Sequence, residues 1–384
     1  RITIPEIPIE RSREKLMYRL FHLLNYVFSK LKDEEKFDDN DERVKLLKIA
    51  NQMDFYVLAK DNSLIKEIFD VLIDIDLQDA ISNIAKMIND CDRLPQQILY
   101  SICDKINENK NISKVLVKLQ KTKQIEFVQG IKSYVKDVNA ILLYEKVADM
   151  IDISPIDLFN LVEFDICNDD DEIRTESIKL ATKALLKTDF STTLYPQYSS
   201  LISRNVDRSP NIRVMVIDFV FSILKKCEDY YSSLSESSDI EILQCKKLKK
   251  EIWTCISNRI VDQQNEIRIA IMKNLLKIPT EIIEIDTELL SKRLSDKSHE
   301  VRVKCLKLIL NIYEKDPENL EWLMETVISL YPAIKDISLY GFSFLMANHS
   351  LVDIAQQLND RKPLISILKD TNEIRNHLPH YKDP

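Results

Sequence analysis

Glycine is nearly missing from this sequence. A chain of 384 residues would ordinarily carry roughly 27 of them at about 7% usage, and this one has two, Gly130 and Gly341. Phosphate-cradling loops need clustered glycines so that backbone amides can approach the ligand, so neither a dinucleotide fingerprint nor a P-loop can be written here. Tight β-hairpins, which favour residues with positive φ, are disfavoured for the same reason. Paired cysteines are also missing. Cys91, Cys103, Cys167, Cys227, Cys245, Cys255 and Cys305 form no CxxC motif and have no histidines at ligand spacing, a pattern of reduced, buried thiols rather than disulfides or zinc. No apolar run approaches the roughly 18 residues that suggest a membrane span. Net positive charge is absent as well: the formal charge is −8, so the chain as a whole is not an electrostatic clamp for nucleic acid.

What is present is helical periodicity nearly everywhere. Leu16, Leu20, Leu23, Leu24 and Val27 share one stripe, and Val214, Ile217, Val220, Phe221 and Leu224 share another. The breaks are short and polar, as in DDNDE at 38–42, NENKN at 107–111 and SSLSESSD at 232–239. Ser154–Pro155 and Ser209–Pro210 each read as an N-cap followed by proline at the first helical position. The pattern predicts an all-α chain of roughly 16 to 19 helices.

Four segments repeat one grammar, aligned on Arg174, Arg213, Arg268 and Arg302. Six residues before each arginine lies Asn168, Asp207, Asp262 or Asp296, and four before lies Asp170, Ser209, Gln264 or Ser298. Two before lies Glu172, Asn211, Glu266 or Glu300, so three copies place an anion in the first turn, where the helix dipole favours it. Arg204, Arg259 and Arg293 end the preceding helix in three copies. The arginines are 39, 55 and 34 residues apart, and the longest interval contains the Ser-rich stretch. This period and grammar belong to an α-solenoid of HEAT-type helical-pair repeats, expected to be curved and elongated. Aspartates and arginines of stacked turns are expected to pair along a ladder. Half-exposed pairs of that kind contribute about 0.2–1 kcal/mol each, against roughly 1.5–3 kcal/mol for burying an aliphatic side chain. Stacking is therefore expected to dominate and the ladder to fix register.

Residues that could carry catalysis are scattered. His22, His299, His349, His377 and His380 are dispersed, and His299 reads as a solvated first-turn residue with no acidic or nucleophilic partner spaced beside it. The run DDDE at 169–172 sits at a helix start and lacks the register and glycine of an EF-hand. The expectation is a non-enzyme without catalytic, metal or cofactor-binding residues. Basic clusters occur at 246–250 (KKLKK), at Lys225–Lys226 and at 118–123, and from 241 to 315 there are 15 Lys/Arg against 11 Asp/Glu. They read either as solvated helix faces or as a surface for an anionic partner such as DNA backbone or an acidic peptide.

The opening RITIPEIPIERS differs from all that follows: Pro5 and Pro8 among Ile4, Ile7 and Ile9 cannot be helix interior. It reads as an extended segment, either a connector packed on its isoleucines or an apolar edge that receives a short peptide. RITIPEIPI resembles the R-x-x-A-P-[DE]-A-P-Y signature of the Pds (precocious dissociation of sisters) family of cohesin-associated HEAT-repeat proteins. Arg1, Pro5, Glu6 and Pro8 are retained, Ile4 and Ile7 replace its alanines, and Ile9 replaces its tyrosine. Residues 144–174 resemble the family's segment of helix, proline turn, acidic turn and arginine. Residues 293–315 resemble its R-x-R-D-K block through Arg293, Asp296, Lys297, Val301, Arg302, Leu310 and Tyr313.

The resemblance implies a nuclear, chromosome-associated regulator of sister-chromatid cohesion that binds the cohesin kleisin subunit. It also implies cooperation with a Wapl-type releasing factor and with a cohesin acetyltransferase. The partner-peptide site it implies is Ile4, Pro5, Glu6, Ile7, Pro8 and Ile9, with Glu6 able to accept a partner arginine. Glu176, Lys179 and Lys183, three and four residues apart on one outward face, are candidate kleisin contacts, and Asp207, Arg213, Asp262, Arg268, Asp296 and Arg302 are the structural ladder. The chain is expected to be monomeric, free of membrane, and at most a weak DNA binder. The organisation expected is an extended segment at 1–12, N-terminal helical repeats at 13–152, regular HEAT repeats at 153–320, and C-terminal helices and tail at 321–384. Family proteins extend before Arg1 and beyond Pro384, as if this were an excised or shortened member. The alternative is a HEAT adaptor unrelated to chromosomes, of transport-receptor or phosphatase-scaffold type.

Overall fold

A computed structural model of the chain describes residues 62–75, 77–135, 137–233, 239–315, 320–331 and 333–370, together with Lys15, Arg19, His22 and Lys45. The double-proline segment, Ile4 to Ile9, lies outside the described residues. Among those described there are eighteen α-helices and no strand. They fall into two compact units, one up to Ala184 and one from Leu185.

In the first unit the helices are α1 (Asn62–Leu72), α2 (Gln78–Asn89), α3 (Gln96–Lys105), α4 (Asn111–Lys118), α5 (Lys121–Tyr134), α6 (Val138–Met150), α7 (Pro155–Val162) and most of α8 (Asp171–Lys187). Helix α1 shows why they form: Ile65, Ile68, Phe69 and Leu72 recur at three- and four-residue spacing, and each is at most 2% exposed. Alternate helices stack, α1 on α3 on α5 in one layer and α2 on α4 on α6 in the other. A turn is tied to its predecessor where Asn111 Nδ2 donates to the Ile73 carbonyl at 2.9 Å. Helix α7 starts at Pro155 behind Ser154, where the Ser-Pro signal places it, although the Ser154 side chain makes no capping hydrogen bond.

The second unit holds α9 (Tyr195–Ser203), α10 (Pro210–Ser233), α11 (Asp239–Arg259), α12 (Asn265–Leu275), α13 (Thr287–Leu294), α14 (His299–Lys315), α15 (Leu320–Ser329), α16 (Lys335–Asn348), α17 (Leu351–Gln357) and α18 (Lys362–Lys369). Helices α10, α12, α14 and α16 stack in order, while α9 packs on α11 and α15 on α17. Helix α10 carries the thickest apolar load: Ile212, Val216, Ile217, Phe219, Val220, Phe221, Ile223, Leu224 and Cys227 are all buried. At roughly 1.5–3 kcal/mol for each large aliphatic or aromatic side chain, this row outweighs any surface pairing the helix makes.

Both glycines lie inside helices, at points of close approach. A Cβ on Gly130 of α5 would collide with Leu99 Cδ1 on α3, and one on Gly341 of α16 would run into the γ-methyls of Val327 on α15. Leucine can swing its terminal methyl aside, whereas valine in a helix is held to one χ1 well. Gly341→Ala is therefore expected to lower the melting temperature although alanine is intrinsically favoured by about 1 kcal/mol, because overpacking costs about 1–3 kcal/mol. In the Val327→Ala background the same change should stabilise. Thermal denaturation of the four-member cycle checks this, and additive effects would refute it.

Candidate interaction surface and the turn ladder

The four arginine turns are built alike. The side chain six residues before each arginine accepts an N–H two residues on: Asn168 from Asp170, Asp207 from Ser209, Asp262 from Gln264 and Asp296 from Ser298, at 2.9–3.0 Å. The arginine then folds back over its own turn. Nη1 of Arg174, Arg213, Arg268 and Arg302 donates to the carbonyls of Asn168, Asp207, Asp262 and Asp296 at 2.7–2.9 Å. The residue types and fixed spacing of the motif were legible in the sequence. The backbone role of the arginine was missed, because carbonyls leave no mark in a sequence. The run DDDE belongs to this plan: Asp170 Oδ1 accepts from Glu172 N–H at 2.8 Å, and Asp171 Oδ1 lies 2.6 Å from Arg174 Nη2.

In the second unit the free edge of each guanidinium reaches the next turn. Arg213 Nη2 lies 3.1 Å from Asp262 Oδ1, Arg268 grips Asp296 through Nε at 2.8 Å and Nη2 at 2.7 Å, and Arg302 Nη2 lies 3.5 Å from Asp336 Oδ2. Arg259 and Arg293 close on Asp262 and Asp296 from the preceding helix at 2.9 and 2.8 Å. The expectation of half-exposed pairs is corrected here: the Asp262 and Asp296 side chains are 3% and 1% exposed, and that of Arg268 is 8%. Stacked helices close over the turn and remove it from water, which local spacing does not reveal. His299 is exposed as expected, but its Nδ1 lies 2.9 Å from Asp336 Oδ2, an acidic partner supplied by the next repeat.

Glu176, Lys179 and Lys183 do share one stripe of α8, and each is engaged within the chain. Lys179 Nζ meets Glu176 Oε1 at 2.6 Å, with Lys179 the more exposed of the two. Lys183 turns to α6, 2.8 Å from Glu145 Oε1 and 3.7 Å from Asp149 Oδ2. The Glu145 carboxylate holds its ammonium above the usual lysine value.

The described residues contain no group of three or more His, Cys, Asp or Glu able to hold a metal ion. A cleft of about 290 Å³ between α5 and α7 is lined by Ile125, Val128 and Leu161, and Asp157 is its one carboxylate. Burial pushes the Cys91 thiol up to about 11 and those of Cys103, Cys227 and Cys255 up to about 12, so they stay protonated at neutral pH.

Alternate-helix stacking with a repeated, arginine-filled turn defines an α-solenoid of HEAT type. The family profile described as "Sister chromatid cohesion protein PDS5 protein" matches residues 1–348, and the chain belongs to that family. Among solved structures, a chain from the Pds5-Scc1 complex superposes with a TM-score of 0.63 at 16% identity, over 94% of this chain and 63% of that one. This chain thus spans less than two thirds of that relative, and the likeness shows the fold. A chain from a study of Kap95p binding to RanGDP (TM-score 0.38, 11% identity, 90% of this chain and 49% of that one) and importin beta (TM-score 0.30, 11% identity, 91% and 55%) are too distant to argue from. No curated protein matches the chain in sequence.

Asp296→Ala strips the carboxylate from Arg268, Arg293 and the Ser298 N–H. It is expected to cost about 3–5 kcal/mol, as breaking a buried pair does, while Asp336→Ala at the half-exposed last rung should cost about 1 kcal/mol or less; denaturant titration separates the two. The pH response follows in sign. Burial pushes the Asp262 and Asp296 carboxyls up. The backbone N–H groups of Gln264 and Ser298 and the arginines more than offset this, so both end below the ordinary 3.8. Their contribution is present above the unfolded value and lost as pH falls through the folded one. Stability should therefore drop as pH falls below about 4, and Asp296→Asn should flatten that drop in acid melts.

Proposed function

We propose that this chain is a cohesin-associated regulatory scaffold of sister-chromatid cohesion, acting in the nucleus on chromosomes and binding the kleisin subunit of cohesin. The observation that carries this reading is the family match over residues 1–348, supported by the likeness to a chain from the Pds5-Scc1 complex. The physical basis is a stack of helix pairs whose turns are locked by buried hydrogen bonds. Such a body orders little on binding, so a partner segment meets a preformed face. The finer roles belong to the same proposal: help in maintaining cohesin, in its acetylation by a separate acetyltransferase and in its release with a Wapl-type factor. In it, Ile4 to Ile9 receives a partner peptide, with Glu6 taking an arginine.

On α8, Lys179 offers the most exposed part of the candidate kleisin stripe, with Lys183 half-exposed against Glu145 and Glu176 the least exposed of the three. The deciding experiment is a calorimetric titration of the chain with a kleisin fragment from the same source. Saturable binding is expected, and its absence would overturn the reading. The charge-reversed triple Glu176→Lys, Lys179→Glu, Lys183→Glu should weaken that binding about tenfold, or about 1.4 kcal/mol, without loss of helicity. Undiminished binding would move the kleisin contact off α8 and leave the scaffold reading standing.

A further inference from the structure

The KKLKK run is left without a role by the fold. It lies on α11, where Leu248 is buried and Lys246, Lys247 and Lys250 face solvent. On a helix, Lys247 would ordinarily pair with Glu251 one turn on. Here Glu251 is taken: Tyr195 Oη donates to its Oε2 at 3.0 Å and Ser199 Oγ to its Oε1 at 2.7 Å. The Lys247 ammonium instead sits over the Tyr195 ring, 4.7 Å from its centroid. Lys249 is consumed internally by Glu228 at 2.7 Å. Among the described residues, Lys246, Lys247 and Lys250 make no ion pair. Three cations without an ion pair among the described residues thus stand together on a chain of net charge −8.

Grooves run along both sides of this ridge. One, of about 610 Å³, is floored by Trp253, and the other, of about 500 Å³, lies toward Tyr195 on α9; Lys250, Thr254 and Asn258 border both. Trp253 is 4% exposed and its indole N–H has no hydrogen-bond partner. One to two turns toward the N-terminus of α11, Leu243 and Ile240 continue the same face, each 67% exposed. The face therefore reads, along the helix, as two aliphatics, three lysines and two neutral hydrogen-bonding side chains.

We infer that this face of α11 docks an acidic, leucine-bearing segment of a protein partner. The carboxylates of that segment would neutralise Lys246, Lys247 and Lys250, and an aliphatic anchor would cover Ile240 and Leu243. A peptide fits better than nucleic acid because each groove carries a carboxylate, Glu284 or Glu251, and neither is lined by an arginine. A continuous phosphate backbone would be repelled at both edges, whereas discrete side-chain carboxylates can be spaced around them. The surface shares no residue with the α8 stripe, so this inference is tested apart from the kleisin contact proposed there.

Fluorescence anisotropy of the full chain with a labelled Glu/Leu peptide tests it. The peptide should bind, and its Gln/Leu counterpart should bind about tenfold more weakly. K246Q/K247Q/K250Q should lower the affinity for the Glu/Leu peptide about tenfold, the effect of losing three exposed pairs, with an unchanged melting temperature. K110Q/K118Q/K121Q, an equal charge change in the first unit, should leave that affinity intact. Trp253→Phe should remove the peptide-dependent change in intrinsic fluorescence. Equal losses in the two triple variants, equal binding of the two peptides, or a fluorescence change that survives Trp253→Phe would overturn the inference. So would a short DNA duplex that displaces the peptide at physiological salt, which would assign the lysines to phosphate instead.

Discussion

A single helix pair of this chain cannot cover its own apolar stripe, and that constraint organises the rest. Ile65, Ile68, Phe69 and Leu72 of α1, or the nine buried residues of α10, are sealed by helices one pair along as well as by the adjacent helix. Each repeat is thus stable because it is stacked, and the free energy comes from apolar burial between repeats. Gly130 and Gly341 serve this contact, since they are where a neighbouring leucine or valine comes too near for a Cβ.

Burial alone is nondirectional and would let pairs slide. The arginine turns supply the register. Arg268 is bound at once to two carbonyls of its own turn and to both carboxylate oxygens of Asp296 in the next, a fork-to-fork geometry that lysine could not reproduce. A buried pair of this kind adds little net stability over a well-packed apolar alternative. Its effect is to make one stacking offset far better than its neighbours, since a slip would leave a buried guanidinium and a buried carboxylate unpaired.

Charge used inside the repeats also determines which charge is left outside. Glu145 draws Lys183 toward α6, and Glu228 draws Lys249 inward. Glu251 is turned to the hydroxyls of α9, which leaves Lys247 and Lys250 facing water. This sorting of paired and unpaired charge decides which charges the described surface offers to a partner.

The sequence by itself determined the helical class, the repeat and the residue pattern of the turn. Periodicity, caps such as Ser154–Pro155 and the Asp-to-Arg spacing are local signals, and a helix or a turn is closed by residues a few positions apart. The burial of Asp262 and Asp296, the pairing of His299 with Asp336 and the diversion of Glu251 from Lys247 were decided by tertiary structure alone. Each joins residues some thirty to sixty positions apart, and which of several nearby partners a charge meets depends on the offset at which the helices stack. That offset depends on apolar packing and buried turn pairs together, a collective property that no short stretch of the chain records.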